Sequence, residues 1–223
     1  MNDHEYRTMP RYANSDLSEL AAVKFNRPLM KAGPESLRLG SAFHALVLEP
    51  QREWVGWAEM AVAERRHVAN MYDSLLAYDS GAIAKLILQS ECEKVRQWTC
   101  PKTGLPLKAK IDMCVLPRRR HIIDLKTTSV KSQVEFEETI EEYHYDRQAA
   151  FYLSSEEEAV YFEFIGVQKQ PPYNIYRVLY SWIDPEIQRG RVKMEQLLRL
   201  AYYESRDPSG WRPSSWSRKE VGV

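Results

Sequence analysis

Asp124 and Lys126 stand two residues apart in HIIDLKTT, residues 121–128, a run whose other members are those a buried strand collects. Two residues apart on a strand means one shared face, so a carboxylate and an ammonium project together from a surface that is otherwise dry. Just upstream, Leu107, Ala109, Ile111, Met113 and Val115 alternate with Lys108, Lys110 and Asp112. This period of two predicts a second strand with Lys108, Lys110 and Asp112 on one face. A hairpin centred near Arg118 sets Asp112 directly opposite Asp124. Opposed carboxylates repel, and a divalent cation relieves the repulsion because hard cations draw carboxylate oxygens onto one ion. Lys126 can then hold a water or a phosphate oxygen beside that ion.

The Asp-x-Lys triplet is weak on its own. Average composition supplies on the order of one or two such acid-x-lysine triplets by chance in a chain of this length, and here there is one. Two further pairs accompany it. In GSAFH, Gly40 lies one turn below His44 on the same helix face and clears space for another element to approach. In QAAFY, Gln148 and Tyr152 are spaced to project from one helical face. Each also fits plain packing, His44 as a satisfied core histidine and the pair as helix surface.

Holding these side chains together takes a sheet with helices around it. Asn14-Ser15-Asp16 offers helix-start chemistry ahead of Leu17, Leu20 and Ala21, predicting a helix over 14–23. Gly33-Pro34 breaks the chain, and an apolar stripe predicts a helix over 36–48 that carries His44. Residues 53–90 read as two helices divided near 78–81. Alternation over 93–100, 107–116 and 122–127, between turn-forming runs, predicts an antiparallel meander. Helices over 133–142 and 145–157 follow, then strands over 160–167 and 175–183. A long amphipathic helix over 185–205 opens with a proline, and 206–223 reads as an irregular tail. The expectation is an α/β fold in one domain over 1–223, helical to about 90, with a central mixed sheet flanked by helices.

Composition narrows the chemistry. At 44% hydrophobic and 28% charged residues the chain belongs with folded soluble proteins. Thirty-one basic residues balance thirty-one acidic ones, which excludes bulk charge as a means of holding nucleic acid. If the chain does hold nucleic acid, phosphate contacts must come from local clusters: Lys108 with Lys110, then Arg118, Arg119 and Arg120, and Lys24 with Arg27 and Lys31. Cys92, Cys100 and Cys114 lack a Cys-x-x-Cys spacing, against a disulfide framework or a thiolate metal site. No apolar run approaches the roughly 20 residues of a membrane span, and MNDHEYRTMP has no leader-like apolar core. A cytoplasmic location without membrane association is expected.

Read in order, GSAFHALVLEP, EKVRQWTCPKTGLPLKAKID, IIDLKTT and YDRQAAFY resemble the nuclease domain of the exonuclease VIII (RecE) family, within the PD-(D/E)XK superfamily. The resemblance runs from about Asn14 to Tyr152. It implies a restriction-endonuclease-like core and hydrolysis of linear double-stranded DNA from its ends, 5′ to 3′. It assigns His44, Asp112 and Asp124 to Mg²⁺, with Mn²⁺ able to substitute, and lends the backbone carbonyl of Leu125 to the metal. Lys126 is the implied catalytic lysine, and Gln148 and Tyr152 the implied helix motif beside it. Glu93 corresponds to a further acid, with Glu91 close by. The chain departs from the family in having Lys110-Ile111-Asp112 where Arg-Pro-Asp is common, which leaves the carboxylate intact. A homo-oligomer, a single-strand annealing recombinase as partner and a phage or prophage origin are implied by the resemblance alone. Two rivals remain open at this point: an endonuclease or flap nuclease of the same superfamily acting in repair or defence, and a DNA-binding scaffold without catalysis.

Overall fold

Leu107, Ala109 and Ile111 are apolar on one side of a strand that must pair on both edges, and they sit at the middle of the meander. In the computed structural model, which describes residues 3–26, 28, 33–52, 54–116 and 120–217, the meander comprises β1 (Ser90–Thr99), β2 (Pro106–Val115) and β3 (His121–Thr128). Two further strands, β4 (Tyr161–Gln168) and β5 (Ile175–Ser181), complete a sheet of order β1-β2-β3-β4-β5. Neighbours are antiparallel except β3 and β4, which run parallel. A parallel neighbour needs a crossover, supplied by α6 (Gln133–Glu142) and α7 (Tyr145–Leu153). The expected central mixed sheet flanked by helices is the fold observed.

The remaining helices are α1 (Asp3–Thr8), α2 (Asn14–Phe25), α3 (Pro34–Leu48), α4 (Val62–Ala77), α5 (Ala82–Leu88) and α8 (Pro185–Arg206). Pro34 opens α3 at its first turn, where the missing N–H costs nothing; the chain break read at Gly33-Pro34 is thus the helix start. Helix α7 stops at Leu153, four residues short of the expected end. The hydroxyls of Ser154 and Ser155 donate back to the carbonyls of Phe151 and Tyr152, the local competition that ends helices at serine. Among the described residues no helix is long and apolar enough to cross a membrane.

Two cores sandwich the sheet. On one face Leu17, Phe136, Ala149, Phe151 and Leu198 of α2, α6, α7 and α8 cover Ile122, Phe162 and Phe164. On the other, Leu39, Phe43, Met71 and Ile83 of α3, α4 and α5 cover Ile123, Leu125, Ile165 and Val167. Strand β4 is buried along nearly its whole length, as a strand covered on both faces must be.

Strand β2 changes sides. Ile111 belongs to the first core and Met113 to the second, although a regular pleat would put both on one face. The inversion falls at Asp112, and Glu93, opposite it where the β1–β2 pairing skips one position, has a left-handed φ of 52°, an uncommon conformation for a residue with a side chain. Lys108 and Lys110 alternate with the apolar set that ends at Ile111, as expected, and the regular pleat is broken just beyond, at Asp112.

The hairpin register read from the sequence is the one formed, with Met113, Cys114 and Val115 pairing Ile123, Ile122 and His121. The ladder ends there. Beyond it β2 and β3 part, and Tyr12 enters the gap along β2, its N–H donating to the Pro106 carbonyl and its carbonyl accepting from the Lys108 N–H, both at 2.9 Å. The tail, expected to be irregular, folds back on this segment. Trp216 packs on Tyr12 at 4.9 Å between ring centroids and donates to the Arg11 carbonyl.

Two stability predictions follow from the packing. A Cβ at Gly190 of α8 would overlap the Asp146 backbone carbonyl of α7. Gly190→Ala should therefore lower the unfolding free energy by about 2 kcal/mol or more in a urea titration, because overpacking outweighs the roughly 1 kcal/mol gained in helix propensity. Glu163 is buried on β4 between His121 Nε2 at 3.0 Å and Arg177 Nε at 2.5 Å. Burial pushes its carboxyl up, but the hydrogen bonds from His121 and Arg177 prevail and hold it below the ordinary 4.5. A depressed acid stabilises the fold above its unfolded value and loses that contribution as pH falls through the folded one. Urea unfolding of Glu163→Gln from pH 3 to 7 should show a shallower loss of stability below pH 4.5 than wild type; parallel curves would refute the assignment.

Candidate active site

The parting of β2 and β3 opens a cleft of about 1750 Å³ whose lining includes His44, Glu93, Lys110, Lys126, Gln148 and Tyr152. At its apex the side chain of Asp112 replaces the missing ladder: the Leu125 N–H donates to Asp112 Oδ2 at 2.8 Å. The two aspartates expected to face each other are the first pair beyond the last backbone pairing.

Three metal-type donors converge here. Glu93 faces Asp112 across the β1–β2 register, between the paired residues Cys92–Met113 and Lys94–Ile111. His44 arrives from α3, with Nδ1 3.7 Å from Asp112 Oδ2. One ligand atom from each of His44, Glu93 and Asp112 lies within 4.8 Å of the others. Helix α3 reaches this depth because Gly40 meets β3, where even a Cβ would stand 3.2 Å from Thr127 Oγ1. The two carboxylates are hard donors that suit Mg²⁺ or Mn²⁺, and the imidazole nitrogen, a borderline donor, is better matched to Mn²⁺ than to Mg²⁺. Two carboxylates opposed on paired strands, one on a strained backbone, fit an ion that draws them together; the Lys110 ammonium, paired with Glu93, offsets part of their charge.

A second group sits beside it. Asp124 is only 3% exposed; its Oδ1 accepts from Gln148 Nε2 at 2.7 Å and its Oδ2 pairs with Lys126 Nζ at 2.6 Å. Lys126 also donates to Gln148 Oε1 at 3.0 Å, so one amide clamps both charged groups. Lys126 Nζ lies 4.4 Å from the centroid of the Tyr145 ring. Burial, reinforced by Asp112 and opposed by Lys126, pushes the Asp124 carboxyl up to about 6. Burial works against the Lys126 charge too, but Asp124 and Tyr145 outweigh it and hold the ammonium above its ordinary range. The Tyr152 hydroxyl, raised by burial, bonds to Gln148 and links the two motif residues.

The structure thus brings together His44, Glu93, Asp112, Asp124, Lys126, Gln148 and Tyr152, with one rearrangement. The sequence reading grouped Asp124 with His44 and Asp112; in the fold Glu93 completes that trio, and Asp124 is engaged with Lys126 and Gln148. Leu125 contributes its N–H to Asp112 while its side chain fills the second core.

The expected phosphate contacts fare differently. Lys108 is buried and its ammonium donates to the carbonyls of Tyr6, Arg7 and Met9, so it anchors the first residues of the fold instead of facing a strand of DNA. Lys110 is committed to Glu93 and Lys24 to Glu204. Arg120 is exposed but lies before β3, at the end away from the cleft, and does not line it. Arg118, Arg119, Arg27 and Lys31 lie outside the described residues.

Among the cleft residues not singled out from the sequence are Tyr145, Arg147 and Lys169. Tyr145, three before Gln148 on the same helical face, carried a usable signal. Arg147 did not: it is buried against α2, donating to Asn14 Oδ1 at 2.9 Å and Ser18 Oγ at 2.5 Å, and burial pulls its guanidinium down to about 10. Lys169 donates to Ser36 Oγ at 2.5 Å.

Comparisons with known proteins place the fold and the family. Solved structures of similar fold include a protein from Eubacterium rectale provisionally named an exonuclease, at 16% identity and a TM-score of 0.65, over 89% of this chain and 83% of that one. A phage-related exonuclease from Haemophilus somnus 129PT matches at 13% identity and 0.47, over 84% and 79%. An alkaline exonuclease from Laribacter hongkongensis matches at 12% and 0.46, over 92% and 94%. The first likeness shows the fold; the other two fall below the level at which a shared fold can be read. No curated protein matches the chain. The model of one family, described as a PDDEXK-like domain of unknown function (DUF3799), matches residues 12–208. The chain belongs to that family, which bears out the PD-(D/E)XK kinship its motifs suggest.

Proposed function

We propose that the protein is a divalent-metal-dependent DNA exonuclease that hydrolyses phosphodiester bonds from the ends of linear duplex. One observation carries the reading: the donors of His44, Glu93 and Asp112 and the Asp124–Lys126–Gln148 cluster meet where β2 and β3 part. A Mg²⁺ or Mn²⁺ ion held by His44, Glu93 and Asp112 would supply Lewis acidity and acidify a bound water.

The protein's own groups do the rest. Lys126, held cationic by Asp124, faces the charge that develops on the phosphate and orients the attacking water. Gln148 fixes Lys126 and Asp124 against each other, so the ammonium is in place before substrate arrives. Asp124 lies close enough to Asp112 and His44 to feel their charge, which ties the two clusters into one unit. Arg147, held by two neutral oxygens, and Lys169 give the cleft positive charge for the strand's phosphates.

Action from ends is supported by the order of motifs, which resembles exonuclease VIII, and by the provisional exonuclease name of the Eubacterium rectale protein of like fold. The 5′ to 3′ direction, a homo-oligomer and work beside a single-strand annealing recombinase rest on that resemblance.

End-labelled linear duplex with Mg²⁺ should be degraded, and chelation should stop the reaction. Asp124→Ala and Lys126→Ala should each slow it at least about 100-fold, the scale of losing a group that stabilises transition-state charge. Covalently closed circular DNA should survive; nicking of the circle would make the protein an endonuclease, and no release from any substrate would leave a binding scaffold. Direct Mn²⁺ titration by calorimetry should detect binding by wild type that weakens at least about tenfold in Glu93→Gln. Unchanged binding would remove Glu93 from the metal site.

A further inference from the structure

The turn between α6 and α7 reads Tyr143-His144-Tyr145, with His144 in the left-handed conformation at φ 56°. That reversal brings the two tyrosines over one another, with ring centroids 5.6 Å apart and planes 31° from parallel. Tyr145 in turn stacks on Phe164 of β4 at 5.5 Å and 27°. Three rings thus rise from the core to the rim of the cleft, and Lys126 Nζ lies against the middle one. The top ring is 42% exposed and lines the cleft. Among the described residues its hydroxyl makes no hydrogen bond, so polar pairing does not account for its placement.

A partly exposed aromatic ring at the cleft, backed by two further rings, is a place for one more flat π system. We propose that Tyr143 is a nucleobase-stacking platform, taking an unpaired base of the strand whose phosphate lies at Lys126; this rests on the nuclease reading above. The charge around the ring selects which part of a nucleotide comes to it. Glu142 adjoins Tyr143 and lines the same cleft, so a phosphate is repelled there and the uncharged base is not. Bases in a duplex have both faces covered by their neighbours, and stacking on a protein ring requires a base taken out of the pair. The substrate class at the site is therefore a single-stranded end, separated from its complement before cleavage.

The test uses single-stranded oligonucleotides with 2-aminopurine placed in turn at each terminal position, in chelator so that nothing is cut. Wild type and Tyr143→Phe should quench the fluorescence at one position, since both rings stack. Tyr143→Ala should abolish the quench and bind the natural strand about tenfold more weakly, within the range for a base–aromatic stack. It should bind a strand that is abasic at that position as wild type does. Unfolding midpoints of the variants, measured alongside, separate lost stacking from lost folding. Equal quenching in Tyr143→Ala, or a preference for the natural over the abasic strand that survives the substitution, overturns the inference. Digestion of linear duplex without a Tyr143-dependent quench sinks the platform alone, whereas a quench without digestion upholds the platform and sinks the nuclease reading.

Discussion

Two antiparallel strands share hydrogen bonds only while their backbones stay about 5 Å apart, and at Asp112 β2 and β3 cease to do so. The Asp112 carboxylate accepts the Leu125 N–H in place of a backbone carbonyl, so the strands separate without leaving that buried donor unmade. Everything chemical in this molecule lies at that fork. The opposed acids of β1 and β2, the buried Asp124–Lys126 pair and the left-handed backbone at Glu93 are each unfavourable taken singly. Their concentration at one point fits a site whose strain serves a bound group.

The fork also explains how two layers of helices serve one centre. Helix α3 packs on one face of the sheet and α7 on the other, and an unbroken sheet would keep their side chains apart. Through the gap His44 reaches Asp112 while Gln148 reaches Asp124 and Lys126. The rigid cores on each side set the distance between the two clusters, and the amide of Gln148 sets their orientation.

Much of this could be read from residue order. The hairpin register followed from the turn near Arg118 and the alternation around it, and helix positions followed from apolar periodicity and from proline and serine at their ends. The inversion of β2 could not be read, because the alternation of Leu107 to Val115 is perfect and the change of face coincides with a left-handed backbone on the neighbouring strand at Glu93, a residue type that gives no hint of positive φ. The fate of Lys108 was hidden for another reason: its three carbonyl partners lie about a hundred positions earlier, and nothing local distinguishes a lysine that ties down chain from one that meets solvent. The choice between Asp124 and Glu93 beside His44 turns on the same fork, since separation of the strands moves one acid away from the imidazole and leaves the other across a paired register.

One side of the cleft is lined by Ala13 and Asn14 together with Ser214 and Ser215, and beneath them buried Tyr12 is covered by Trp216, whose indole donates to the Arg11 carbonyl across 205 positions of chain. Contacts between such distant positions close late, because most of the chain must be ordered before they form. The site groups of β2 and β3 can pair early from a local hairpin, but the cleft lacks this side until Ser214 and Ser215 dock. Competence therefore arrives with the last step of folding, and loosening of that far end would open the groove before the sheet itself gives way.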